Sequence, residues 1–176
     1  MNRFLRMRIA IFGLPLVAAH VAALPADTER QGSVLKRIFS YDKDLRASEK
    51  IVILIVAPTR GHEEARDVAA VFREMGLFPA VVGVSDLNDD LTATLSPSST
   101  VVYVIPGADV SAVKEFAAHK GFLSVSAQAS LAEEGHVSVS VDVRGDQSQI
   151  VINLPRLQTE RHELSAELLN LARVIR

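Results

Sequence analysis

Apolar residues along this chain fall into blocks whose period switches between helix-like and strand-like spacing. Ile51-Val52-Ile53-Leu54-Ile55-Val56 is an unbroken, mostly β-branched run closed by Ala57-Pro58, the pattern of a strand covered on both faces and hence of a parallel sheet. Gly61 to Gly76 then predicts a helix. Ala65, Val68, Ala69, Phe72 and Met75 form one stripe, Glu63 and Glu64 suit the first turn, and Gly76 suits the C-terminal cap. Phe78 to Val84 predicts a second strand, completing a βαβ unit with a right-handed crossover.

The same order returns once. Thr100 to Ile105 predicts a third buried strand ended by Pro106-Gly107, and Asp109 is a good N-cap for a helix over 110–119. Gly121 stops that helix, and Phe122 to Ser126 predicts a fourth strand. Between the units, Asp86 to Ser99 is polar, with a short helix expected around Asp89–Leu95. Ahead of the first strand, Val34, Leu35, Ile38 and Phe39 recur at helical spacing, so 33–41 is expected to be helical and 24–32 a flexible polar lead-in.

The last third changes character. Ser130 and Glu133 make a small capping box for one helical turn. From His136 to Val143, valines alternate with Ser138, Ser140 and Asp142, which predicts a strand with one face buried and the other wet or only lightly covered. Arg144-Gly145-Asp146-Gln147 reads as a turn and Ser148 to Leu154 as the returning strand of a hairpin. Leu164, Leu168, Leu171 and Ile175 predict a closing helix over 163–175. The expected fold is a single Rossmann-like α/β domain over 33–176. It has four mostly parallel strands, an antiparallel hairpin at one edge, and helices on both faces.

Residues 1–23 stand apart from this domain. Arg3, Arg6 and Arg8 precede an apolar run from Ile9 to Leu24, with small residues at Val21-Ala22-Ala23, the three parts of a cleavable signal peptide. The run is interrupted by Gly13, Pro15 and His20 and falls short of the ~20 residues that span a bilayer. Cleavage is expected after Ala23, with Ala26 the alternative, and the expected destination is the periplasm or the medium of a bacterium. Loss of three arginines and no acid takes the formal charge from −2 to −5, which offers no electrostatic footprint for nucleic acid. The chain has no cysteine, so disulfides, thiolate metal sites and a cysteine nucleophile are excluded.

Familiar catalytic signatures are missing. The five histidines include no i, i+4 pair and no His-Glu-x-x-His, and there is no Gly-x-Ser-x-Gly, Gly-x-Gly-x-x-Gly or Walker A sequence. His62 beside Glu63 and Glu64, and His162 beside Glu160 and Glu163, read as acidic helix starts. No cofactor or metal is expected. One weak ligand site remains, because ligands of open α/β sheets lie at the carboxyl ends of the strands. There, Thr59, Arg60 and Gly61 sit before a helix N-terminus that suits a small anion.

Several stretches resemble the YfiR family of exported bacterial regulators. They are Val34-Leu35-Lys36-Arg37-Ile38-Phe39-Ser40-Tyr41-Asp42, Lys120-Gly121-Phe122-Leu123-Ser124-Val125-Ser126, Glu134-Gly135-His136-Val137-Ser138-Val139, Ile150-Val151-Ile152-Asn153-Leu154, and the run from Leu164 to Ile175. The resemblance covers roughly 33–176. It implies a non-enzymatic periplasmic protein, often a homodimer, that represses a membrane-bound diguanylate cyclase by binding its periplasmic domain, so lowering cyclic di-GMP and biofilm formation. The cysteines through which some members respond to redox state are absent here, and the aromatic start of many members is replaced by Lys-Arg-Ile-Phe-Ser-Tyr-Asp.

Two functions are therefore expected to compete. One is a regulatory subunit that binds the sensor domain of an inner-membrane diguanylate cyclase or sensor kinase through Leu154, Pro155, Leu157 and His162, where the leucines beside the proline either stand partly exposed or fill the core under the closing helix. The other is a small periplasmic solute-binding protein using the crevice around Thr59 and Arg60. A flat apolar patch would favour the first, and a convergent polar pocket the second.

Overall fold

In the computed structural model, which describes residues 26–59 and 62–176, one seven-stranded sheet carries the chain. The strands are β1 (Val52–Ala57), β2 (Phe78–Gly83), β3 (Thr100–Val104), β4 (Leu123–Ser126), β5 (Val139–Arg144), β6 (Gln147–Asn153) and β7 (Arg173–Ile175), in the spatial order β2-β1-β3-β4-β5-β6-β7. The pairs from β2 to β5 are parallel, β5–β6 is antiparallel and β6–β7 is parallel. The helices are α1 (Ala26–Phe39), α2 (His62–Glu74), α3 (Asp89–Thr92), α4 (Val110–Lys120), α5 (Ala129–Glu133), α6 (Leu154–Thr159) and α7 (Ala166–Leu171). The mixed α/β fold expected from the sequence is the fold observed.

Two apolar cores lie on opposite faces of this sheet. Ile53, Ile55, Val101, Tyr103, Val125 and Val139 face one way, against Leu35 and Phe39 of α1, Phe72 of α2, and Leu157, Leu164 and Leu168 of the C-terminal segment. Leu54, Val56, Val102 and Val104 face the other way, against Val113 and Ala117 of α4, Phe122, and Leu131 and Ala132 of α5. The double coverage explains why β1 and β3 read as continuous apolar runs.

Four expectations change. The lead-in expected over 24–32 is helical from Ala26 on, with Gln31 and Gly32 already buried. The polar sequence hid this, because the buried Gln31 is satisfied by hydrogen bonds, donating to the Val141 carbonyl and accepting from the Tyr103 hydroxyl. The expected hairpin sits inside the sheet and not at its edge, since β7 pairs beyond β6. The closing helix over 163–175 is divided: α7 ends at Leu171, and Arg173–Ile175 is strand.

Finally, the polar face of β5 is closed at its amino end. Ser138 and Ser140 are fully buried, because β5 lies between β4 and β6 under α5. The signal-peptide reading over 1–23 falls on residues outside those described.

Candidate functional site

The sheet order creates a topological switch at β1, whose chain neighbours β2 and β3 lie on its two sides. At the carboxyl ends of these strands is a crevice of about 650 Å³ lined by Pro58, Thr59, His62, Asp86, Gly107 and Asp109, among others. Thr59 is therefore where the sequence placed it, while Arg60 and Gly61 lie outside the described residues. The two carboxylates have local partners. Asp109 caps α4 by accepting from the Ser111 and Ala112 amides, and Asp86 accepts from the Gly83 amide. A second crevice, of about 490 Å³, has Asp27, Glu63, Glu64, Asp67 and Asp142 in its lining. Its floor is the paired Tyr103 and Gln31. Burial, with the charge of Glu64 adding to it, raises the Tyr103 pKa and keeps the phenol protonated.

The C-terminal segment departs most from expectation. Asn153 caps α6 by accepting from the Arg156 amide, and Pro155 fits the first turn, where its missing N–H costs nothing. This short helix lies against the sheet. Pro155 is exposed and Leu154 half-buried, but Leu157 is only 3% exposed and His162 is buried as well. Leu157 fills the core shared with Ile152, Leu164 and Leu168. Two of the four expected partner-binding residues are thus interior, and these four do not form a surface.

The same segment carries a buried polar network. Arg156 and Glu160 pair at 2.8 Å, and Arg156 also donates to the Lys114 carbonyl. Glu160 accepts from the Ser124 amide at 2.9 Å and from the hydroxyls of Ser124 and Ser138. Burial, the largest influence, raises the Glu160 pKa, and Arg156 and the two serines pull it back.

Arg161 takes the left-handed backbone conformation with φ of 63°, rare for a non-glycine residue. It separates two buried neighbours, Glu160 and His162. Its guanidinium donates to the His119 carbonyl and lies over Gly121, where a Cβ would meet Arg161 Nη2 at 3.1 Å. The His162 ring lies between Asp42, 2.9 Å from Nδ1, and the Gly121 carbonyl, 3.1 Å from Nε2.

What can this arrangement do chemically? Both serine hydroxyls donate to Glu160, while His162 faces Asp42 and a carbonyl, so no activated hydroxyl results. Asp42, Asp44 and His162 come close together, but the Asp42 oxygens already accept from His162 and from the Asp44 and Leu45 amides. The network is a tether. It fixes α6 and the residues after it to the amino ends of β4 and β5. Sequence reasoning missed it, although Arg156 and Glu160 stand at the i, i+4 spacing of a helical ion pair.

The exposed apolar groups lie elsewhere. Phe78 is 49% and Val81 38% exposed, both on edge strand β2, and Leu171 of α7 is 68% exposed. Lys50 sits over the Phe78 ring at 5.7 Å from its centroid. The Phe78 amide donates inward to Ile51, so by alternation Pro79, Val81 and Gly83 turn their backbones outward. Pro79 has no N–H, and that of Gly83 is held by Asp86. Val81 is left as the outward donor of β2, a device that protects an edge from strand addition.

No family model matches the chain, and no curated protein matches it. Its fold is similar to that of a solved "conserved domain protein" from Vibrio cholerae, with a TM-score of 0.63 at 13% sequence identity. The match covers 85% of this chain and 60% of that one. At this identity the likeness shows a shared fold.

Proposed function

We propose that this protein is an exported, non-enzymatic regulator that binds the periplasmic domain of an inner-membrane signalling protein, a diguanylate cyclase or a sensor kinase. The observation that carries the reading is the exposed apolar edge at β2. Phe78 and Val81 are exposed on opposite faces of a strand that contains no charged side chain, so this sheet edge offers an apolar contact from either side. The closed backbone of the same strand favours a partner that meets it with side chains and not with a strand of its own. Further support comes from the signal-like pattern over 1–23 and the resemblance to exported regulators. Among the described residues no helix is long and apolar enough to cross a membrane, which suits a protein that acts on a membrane partner from outside the bilayer.

The crevice at the ends of β1, β2 and β3 supports a second reading, that of a small solute-binding protein, because it lies at the topological switch point. One experiment separates the two. The protein and its Phe78→Ser/Val81→Ser variant are used as bait on solubilised inner membrane. Recovery of a membrane cyclase or kinase by the parent and not by the variant supports the regulator. Equal recovery by both removes β2 as the surface. Recovery of neither, with small metabolites raising the melting temperature, supports the solute binder.

A further inference from the structure

His162 offers an inference that partner binding does not require. Both of its ring nitrogens face acceptors, the Asp42 carboxylate at Nδ1 and the Gly121 carbonyl at Nε2. A neutral imidazole has one N–H and one lone pair, so in the neutral ring one nitrogen would direct a lone pair at an acceptor oxygen. Only the imidazolium donates to both. The ring and Asp42 are buried, so water cannot substitute for either contact without the segment moving.

What the ring holds together is specific. Asp42 follows α1, Gly121 caps the end of α4 two residues before β4, and His162 follows α6. The main chain repeats the link, with Lys43 donating to the Glu163 carbonyl, Ser165 donating to the Tyr41 carbonyl, and a bridge between Asp42 and Leu164. We propose that His162 is a proton-operated latch, which fastens residues 160–165 to the α1–β1 connection and to β4 while both ring nitrogens are protonated, and opens at Gly121 when one proton leaves. The Asp42 contact survives that loss, because a neutral ring protonated at Nδ1 still donates to the carboxylate.

The surrounding charges favour the closed state. Asp42 faces the ring from the α1–β1 connection, with Asp44 close by. Glu160 lies on the ring's own segment, paired to Arg156. Lys43 pairs with Glu163 in exposed positions, and Lys120, preceding Gly121, pairs with Asp89. Arg161 is directed to the His119 carbonyl. Burial alone would lower the His162 pKa, but the Asp42 hydrogen bond and charge, the Glu160 charge and the Gly121 carbonyl outweigh it, and the shift is upward. The folded pKa therefore exceeds the unfolded one. The latch contributes its full stability below the unfolded value of about 6.5 and loses it as pH rises through the folded value.

The test uses nitrogen-resolved NMR of the histidine rings in the uniformly labelled protein, with His162 assigned by its loss in His162→Gln. Peptide-level hydrogen exchange over 154–175 is followed in parallel from about pH 6 to about pH 10, a range that starts near the ordinary imidazole pKa of about 6.5. The expected results are a ring protonated on both nitrogens at neutral pH and exchange, corrected for its intrinsic pH dependence, that rises about tenfold per pH unit between the unfolded pKa of about 6.5 and the folded pKa and levels off above it. Asp42→Asn should move that rise to lower pH, and His162→Gln should abolish it. A neutral His162 ring at pH 7 would overturn the proposal in the parent protein alone, whether or not the variants fold. The same exchange profile in parent and His162→Gln would overturn it too.

Discussion

Arg156 and Glu160 stand one helical turn apart and meet at 2.8 Å, with side chains only 5% and 0% exposed. Two charges removed from water in this way depend on each other, and removing one from such a pair costs about 3–5 kcal/mol. Glu160→Ala is expected to lose stability of this order in denaturant unfolding, because it leaves Arg156 buried and Ser124 and Ser138 without their acceptor. Replacing both partners with apolar residues, Arg156→Met with Glu160→Leu, is expected to cost less than Glu160→Ala, since no buried charge is then left alone. A double variant weaker than the single one would show that the pair itself supplies net stability.

Leu157 gives a sharper outcome. In the interior beside Ile152, Leu164 and Leu168, it cannot take a carboxylate without burying an unpaired charge. Leu157→Asp should unfold the protein or leave it without a cooperative thermal transition, and Leu157→Ala should cost about 2–5 kcal/mol. Circular dichroism melts of the two variants decide it. A folded Leu157→Asp protein would return this residue to the surface.

The acid limb of the stability curve is set in part by Asp42. Burial pushes its carboxyl up, but the His162 hydrogen bond and charge and the Leu45 and Asp44 amides outweigh burial, so the pKa is lowered. A carboxylate with a depressed folded pKa contributes stability above its unfolded value of about 3.9 and loses it as pH falls through the folded value. Between the parent and Asp42→Asn, the stability difference should therefore shrink on acidification below about pH 4. Urea unfolding at a series of pH values measures it, and a difference that stays constant would show that the Asp42 charge plays no part.

Phe78→Ser and Val81→Ser should behave in the opposite way to changes at Leu157. Both side chains are well exposed on the edge strand, and surface substitutions usually fall within about 0.5 kcal/mol of the parent. Thermal melts should nearly superimpose on the parent's. A large loss would place these residues in a packing role.

Much of the fold was legible because buried parallel strands announce themselves. β1 and β3 are apolar on both faces, α2 carries a clear stripe and α4 is bounded by Asp109 and Gly121, so their boundaries match the expected ones within a residue or two. The C-terminal third was harder for a physical reason. The serines alternating with valines from His136 on read as wet or lightly covered, yet Ser138 is buried because Glu160, distant in sequence, supplies its acceptor. The run after Ala166 reads as one amphipathic helix, but the chain leaves α7 at Ala172 and joins β6 as a strand. Propensity gave way there to the unpaired edge of β6. Leu157 was misplaced for the same kind of reason, since a short helix beside a proline gives no periodicity with which to tell core from surface.

The β2 edge has a consequence for solubility. An uncharged, apolar strand at the end of a sheet is the usual seed for fibril growth, because each new chain can dock its amides on the last. Pro79 cannot donate and the Gly83 amide is held by Asp86, so Val81 is the outward amide donor left on this strand and a docking copy finds an interrupted ladder. The exposed side chains of Phe78 and Val81 thus sit on a strand whose backbone is a poor template for stacking.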